Sequence, residues 1–363
     1  MKLNLILFRL LCCVLAVLSL SQTSSAEDKR AEDLQLLGKT AFYEGRYAES
    51  EQYLRRSIGM FEAKGDSART ELAITRGYLG WLLAGLGNHA EAEKLMQSAL
   101  KTLNTNGNEH CDQNAMLLSH FGTLYQKTGR QKKAESSYKE ALRRAERCAP
   151  AYVELILNNM GIFYGENGKL KQAAAVLERA LAMREQLGLV NEPVMAQTLT
   201  SLAAVYQVQQ KLSLAEPLLL RAREFLQASL EREHPDLSVT LLSFTLEELG
   251  LLYYRQGKLE EAEQQLRQAM NVEPLHPTPD PRRNARLSFV LAQILTVKGE
   301  YELAKSLYQK ALPGKDSNTA QTAETLEQYS TLLRLMKADK QAAELTRRAK
   351  SIRDHLAYTT SVK

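Results

Sequence analysis

Eight corner residues recur at near-even intervals along this 363-residue chain. They are Gly45, Gly87, Gly129, Gly168, Gln210, Gly257, Gly299 and Ala338, separated by 42, 42, 39, 42, 47, 42 and 39 residues. Each lies between two runs whose apolar residues have helical spacing. Glycine predominates because a sharp helix-to-helix corner needs a positive φ, which a residue without a Cβ adopts at little cost. Three small-residue columns keep the same register. Seven residues before each corner stand Gly38, Gly80, Gly122, Gly161, Ala203, Gly250, Ala292 and Thr331. Five after stand Ser50, Ala92, Ala134, Ala173, Ala215, Ala262, Ala304 and Ala343. Twelve after stand Ser57, Ala99, Ala141, Ala180, Ala222, Ala269, Ala311 and Lys350. One such column would carry little weight. Three in register over eight units imply a row of helix hairpins, each needing its neighbours to bury its apolar face.

This pattern resembles the tetratricopeptide repeat, which has a small residue where its helices cross and an alanine in each half of the second helix. The step near 42, with runs such as Gly257-Lys-Leu-Glu-Glu-Ala-Glu-Gln-Gln-Leu-Arg-Gln-Ala269 and Glu233-His-Pro-Asp-Leu-Ser-Val-Thr240, looks like the longer kinesin-light-chain-type variant. The resemblance covers Asp28 to about Leu356. It implies an all-α, right-handed α-solenoid over 27–356, with hairpins at 28–63, 67–105, 112–147, 150–188, 191–231, 235–272, 281–313 and 317–356. A frayed tail is expected at 357–363.

Four local features test that expectation. Pro217 lies near the start of a second helix, where proline is tolerated, so no break is expected there. The 47-residue step before Gly257 extends the first helix of the sixth hairpin, opened by Pro235. Pro274, Pro277, Pro279 and Pro281 make a stiff connection, the expected place for a bend. In the last hairpin, Arg347 and Lys350 stand in columns that are apolar or small elsewhere, which suits a terminal helix with one solvated face.

The first 26 residues have the three parts of a secretory signal peptide. Lys2 and Arg9 precede the apolar run Leu10–Leu20, and small polar residues lead to Ala26, the expected cleavage point. The alternative is a membrane-tethered accessory or sensor module that retains this segment as an anchor. Cys12-Cys13 is not read as a lipidation site, because Leu10-Leu11 lacks the small residues such a site needs. No Asn-x-Ser/Thr acceptor occurs, which favours a bacterial exported protein, periplasmic or extracellular. Without the leader the chain carries 45 basic and 42 acidic residues. That mild excess is spread along the helices, with no dense basic stripe for nucleic acid.

Catalytic constellations are not apparent. The six histidines are scattered, and His120 reads as structural. Glu247-Glu248 and Glu260-Glu261 read as solvated helix faces. No phosphate-binding glycine loop occurs, because Gly77-x-x-Gly80 lies inside a helix; no enzyme, cofactor or metal is expected. Cys111 and Cys148 each precede a first helix in consecutive hairpins. They form a disulfide if their loops lean together, and otherwise remain two separate thiols. The glycines Gly77, Gly80, Gly85 and Gly87 around Trp81 serve tight helix packing or close approach of a ligand.

The family resemblance implies that first-helix residues line an inner groove for a protein or peptide partner. Carried onto this chain, the offsets give Gln35, Lys39, Phe42, Tyr43 and Trp81 in the first two hairpins. Ser119, Thr123, Gln126 and Lys127 follow, then Asn158, Ile162 and Glu166. The last are Thr200, Gln207, Glu247, Leu251, Tyr254, Arg255, Phe289 and Gln293. Rings among amides and hydroxyls suit an extended peptide. The asparagine ladder common in kinesin-light-chain-type repeats survives only at Asn158.

Overall fold

A computed structural model describes residues 29–42, 45–106, 110–188, 193–230, 235–272, 281–312 and 319–361. The expected signal peptide, Tyr43 and the expected bend at Pro274–Pro279 lie outside the described residues. The described residues are almost wholly α-helical and contain no strand. The helices are α1 (29–42), α2 (Tyr47–Ala63), α3 (Arg69–Gly85), α4 (His89–Leu103), α5 (Cys111–Lys127), α6 (Gln131–Cys148), α7 (Val153–Glu166) and α8 (Leu170–Gln186). They continue as α9 (Pro193–Val208), α10 (Leu212–Leu230), α11 (Pro235–Arg255), α12 (Leu259–Val272), α13 (Pro281–Lys298), α14 (Tyr301–Ala311), α15 (Ala320–Leu335) and α16 (Asp339–Ser361). Odd-numbered helices are the first of each hairpin and even-numbered ones the second. The chain divides into two compact units, one ending at Gly168 and holding α1–α7, the other starting at Lys169 and holding α8–α16.

Amphipathicity explains the second helices. In α6, Ala134, Tyr138, Ala141 and Ala145 are buried on one stripe, while Lys132, Lys133, Lys139 and Arg143 face solvent. The corners follow from backbone geometry. At Gly129 φ is +74°, and Arg130 N–H reaches back to Tyr125 C=O at 2.8 Å, closing the end of α5. Gln210 holds φ at 62° without being glycine, and Lys211 N–H makes the same contact to Tyr206 C=O at 2.8 Å.

The small column before each corner marks a close helix crossing. A Cβ added to Gly122 would stand 2.6 Å from the Tyr138 ring, and one added to Gly80 would stand 2.5 Å from Met96 Cγ. Gly38 meets Leu54 and Gly250 meets Leu266 in the same way. Each glycine thus faces a large buried side chain sixteen residues later.

Within each unit the first helices also pack on one another: α3 on α5 and α5 on α7 in unit 1, and α9 on α11, α11 on α13 and α13 on α15 in unit 2. Successive second helices make no comparable contact among the described residues. First helices therefore form the tighter, inner layer of each unit.

Two expectations need correction. The eighth corner is Lys337, with φ 59°, and not Ala338. The small columns then fall on Ser330, Ala342 and Ala349, all buried, and not on Thr331, Ala343 and Lys350, which are exposed. This unit is one residue shorter than the period suggests, and burial of the small residues sets its register. Second, α16 runs to Ser361, past the expected end near Leu356, because no glycine or proline stops it. With the corner at Lys337 the columns read on Arg347 and Lys350 move to Thr346 and Ala349. Three features are as read: α10 is continuous through Pro217, α11 has 21 residues from Pro235, and α13 begins at Pro281.

Substitution of Gly122 by Ala is expected to cost about 1–3 kcal/mol through overpacking against Tyr138. Gln210→Gly is expected to add roughly 1 kcal/mol, because it removes a Cβ from the left-handed region. Urea unfolding of each variant beside wild type checks both, and a sign opposite to either expectation refutes the packing or corner assignment.

Candidate functional site

The inner layer of unit 1 lines a partly open cavity of about 210 Å³. Helical spacing puts each wall in place. On α1, Gln35 and Lys39 lie one turn apart; on α3, Ile74, Gly77, Tyr78 and Trp81 share a face; on α5, Gln113, Met116, Leu117 and His120 do likewise. Ala73, Leu103 and Tyr152 complete the lining.

A row of rings runs across one side. The Phe42 and Trp81 centroids are 4.3 Å apart. Trp81 in turn stacks on His120 at 4.2 Å with the planes only 7° apart. Burial lowers His120 to about 3, so the imidazole is neutral at physiological pH. Lys39 Nζ lies 4.4 Å above the Tyr78 ring, and burial lowers its pKa as well. Gln113 Oε1 is buried without a hydrogen-bond donor among the described residues. Gln35 is engaged, donating from Nε2 to Thr75 Oγ1 at 2.6 Å.

Several residues expected in an open groove are instead buried between helices. Ser119, Asn158, Thr200, Gln207, Glu247 and Phe289 are all buried, which corrects their reading as ligand-facing. Most of the polar ones bond the next first helix. Asn159 Nδ2 donates to Ser119 Oγ at 3.2 Å, and the Thr200 and Thr245 hydroxyls are 2.9 Å apart. Asn158 is buried with neither side-chain atom hydrogen-bonded among the described residues. Phe289 packs edge-on to Tyr308 at 6.2 Å. Thr123 and Gln126 are half-buried; both contact the Tyr138 hydroxyl, and Gln126 also donates to Glu166. Phe42, Trp81, Tyr254 and Gln293 keep partial exposure, and Arg255 is exposed while donating to Gln207 Oε1 at 2.9 Å. The reading from family offsets missed Tyr78, Gln113, Met116 and Tyr152. The signal for the first three was present, since the stripes 74–77–78–81 and 113–116–117–120 have the spacing of one helix face.

Unit 2 has a buried polar network where solvated acids were expected. Glu247 pairs with Arg283, Nη2 to Oε2 at 3.1 Å, and with Arg286 on the same helix, α13. Glu248 turns the other way and accepts from Gln207 Nε2 on α9 at 2.9 Å. Neither is a solvated acid, because α11 is flanked on both sides by first helices. Glu260 and Glu261 are exposed, as expected. Burial pushes Glu248 up to about 7; the charge of Glu247 adds to this, while Arg286 and Arg255 oppose it. The network ties three first helices together across unit 2.

Cys111 and Cys148 are joined by a disulfide, with Cα atoms 6.2 Å apart. It links the start of α5 to the end of α6, near the segment carrying Tyr152. Among the described residues no group of three His, Cys, Asp or Glu side chains could hold a metal ion. No described helix is long and apolar enough to cross a membrane.

With this geometry in hand, the comparisons are specific about fold. Tetratricopeptide repeat patterns match residues 30–105, 71–147, 152–227 and 194–272, and a second tetratricopeptide repeat pattern matches 247–319. No curated protein matches the chain. Among solved structures, the apo form of the quorum sensor NprR from B. thuringiensis is 14% identical with a TM-score of 0.64, covering 89% of this chain and 87% of that one. A Rap protein complexed with Competence and Sporulation Factor is 13% identical with a TM-score of 0.59, covering 91% and 99%. A Signal Transduction ATPase with Numerous Domains protein with a tetratricopeptide repeat sensor, from Pyrococcus horikoshii, is 13% identical with a TM-score of 0.64. It covers 91% of this chain, which spans only 49% of that one. At these identities the likeness is one of fold.

The Glu248 arrangement generates a pH prediction. A carboxyl with a raised folded pKa binds a proton that the unfolded chain has already released. Stability therefore falls as pH rises from about 4.5 to about 7, and stays lower above that. Glu248→Gln keeps an acceptor for Gln207 and removes the buried charge. The variant is expected to melt higher than wild type at pH 8 and alike near pH 4.5. Thermal unfolding at both values checks this, and parallel pH profiles contradict the assignment.

Proposed function

The chain belongs to the tetratricopeptide repeat family, and on that premise we propose that it is an exported, non-enzymatic scaffold that holds a protein or peptide partner against its first helices. The observation that carries this reading is the row of partly exposed rings, Phe42 on α1 and Trp81 on α3, with Trp81 stacked on His120 of α5. Side chains used only to hold neighbouring helices together would be buried, as Ser119 and Thr200 are. Rings left open on an inner layer, next to a cavity and the half-buried Thr123 and Gln126, give a partner apolar contact and hydrogen-bonding groups together. In unit 2, Tyr254, Arg255 and Gln293 offer a similar mixture on their own inner layer.

Export rests on the leader: a basic start, an apolar stretch and small residues up to Ala26. The mature protein would begin at Glu27. The runner-up is a tethered accessory or sensor module that keeps the leader as an anchor, supported by the apolar extension from Leu3 to Phe8. N-terminal sequencing of the protein from its host separates the two.

A photo-crosslinking residue placed at Gln126 is expected to capture a specific polypeptide in host cells, and one at Arg56 on α2 is not. Trp81→Ala is expected to reduce the Gln126 adduct at least tenfold while leaving the helical circular dichroism unchanged. Equal capture at both positions, or no effect of Trp81→Ala, removes the inner-layer assignment.

A further inference from the structure

The unit 1 cavity has features that helix packing does not require. Lys39 is partly buried, with its ammonium over the Tyr78 ring, and no carboxylate pairs with it among the described residues. A partly desolvated charge without a counter-ion costs free energy that a bound anion offsets. Among the described residues no acidic side chain lines the cavity, and His120 is neutral, so Lys39 is the charged group of its described lining. Gln113 adds a buried acceptor with no donor among the described residues, suited to an N–H or O–H group. Between these polar groups the walls are the rings of Trp81 and Tyr78 and the aliphatic chains of Ile74, Met116 and Leu117. A concave, mostly apolar site with a few convergent polar groups has the character of a small-ligand site.

We infer that this cavity binds a small organic carboxylate with a compact apolar body, its carboxylate paired with Lys39 and its body held against Trp81, Tyr78 and Met116. A cavity of about 210 Å³ has room for one ring or branched chain with a carboxylate and too little for a folded segment. A free acid and the C-terminal residue of a peptide present the same chemistry. The inference stands apart from the scaffold reading, because a free acid would fill the cavity with no protein partner present.

Trp81 is the only tryptophan in the chain, so its fluorescence reports directly on the cavity. The full chain is titrated with 3-phenylpropionate, with the neutral 3-phenylpropionamide, and with a hexapeptide ending in phenylalanine as the free acid or the amide. A saturable fluorescence change with the carboxylates, at least tenfold weaker with the amides, is expected. Lys39→Met is expected to abolish that discrimination while keeping the wild-type circular dichroism. Free-acid peptide binding more tightly than 3-phenylpropionate identifies a polypeptide terminus as the source; equal or weaker binding identifies a free acid, and both support the site. No saturable change with either carboxylate, equal binding of acid and amide, or undiminished discrimination in folded Lys39→Met overturns it. If Lys39→Met does not fold, the acid–amide comparison on wild type decides alone.

Discussion

A glycine or alanine in most first helices, set against a large side chain sixteen residues later, determines how near the two helices of a hairpin can come. Gly38 with Leu54, Gly80 with Met96, Gly122 with Tyr138 and Gly250 with Leu266 leave no room for a Cβ without a shift. Ala203 stands in the same relation to Leu219, and Ala292 to Tyr308, and these four residues are also buried. The close crossing buries the alanine columns of the second helix, Ala134 and Ala141 among them. Dense packing of this kind has little tolerance for added volume. It gives each hairpin a fixed width, on which the stacking of successive hairpins depends.

Stacking then distinguishes two layers. First helices touch the next first helix within each unit, and second helices do not do so comparably among the described residues. The polar side chains of the inner layer consequently divide into two groups. Some are buried in contacts to the next first helix, such as Thr200 with Thr245 and Glu247 with Arg283. Others remain partly open, such as Lys39 and the rings of Phe42 and Trp81. The first group ties neighbouring first helices together through buried hydrogen bonds and ion pairs, whose separation would leave polar groups unpaired. The second group is what an incoming molecule meets.

The two units solve the inner-layer problem differently. In unit 1 it is mostly rings and aliphatic chains, with a cavity between α1, α3 and α5. In unit 2, α9, α11 and α13 are linked by Gln207, Glu248, Glu247, Arg283 and Arg286, so charge fills the space that rings occupy in unit 1. Removal of that interior from water pushes the Glu248 carboxyl up to about 7. Recognition is accordingly expected to centre on unit 1, and sensitivity to pH on unit 2.

The repeat itself was legible in the chain, because a close helix crossing and a positive-φ corner each demand particular residue types at fixed intervals. Gly45 to Gly299 show this directly, and Gln210 was placed correctly at a corner although it lacks glycine's freedom. The last corner was misplaced by one residue, since neither Lys337 nor Ala338 carries the glycine signal and only burial of Ala342 and Ala349 decides between them. The inner surface was less legible. Family offsets identify which helix face turns inward, but whether a side chain there meets solvent or a neighbour depends on what stands one repeat away. Ser119 is covered by Asn159, and Glu247 by two arginines from α13, about 40 residues distant in both cases. The periodic backbone was thus determined by local steric requirements written in the sequence. The cavity beside Trp81 and the buried charges of α11 were decided only by tertiary packing, because exposure and charge pairing are properties of neighbours brought together by folding.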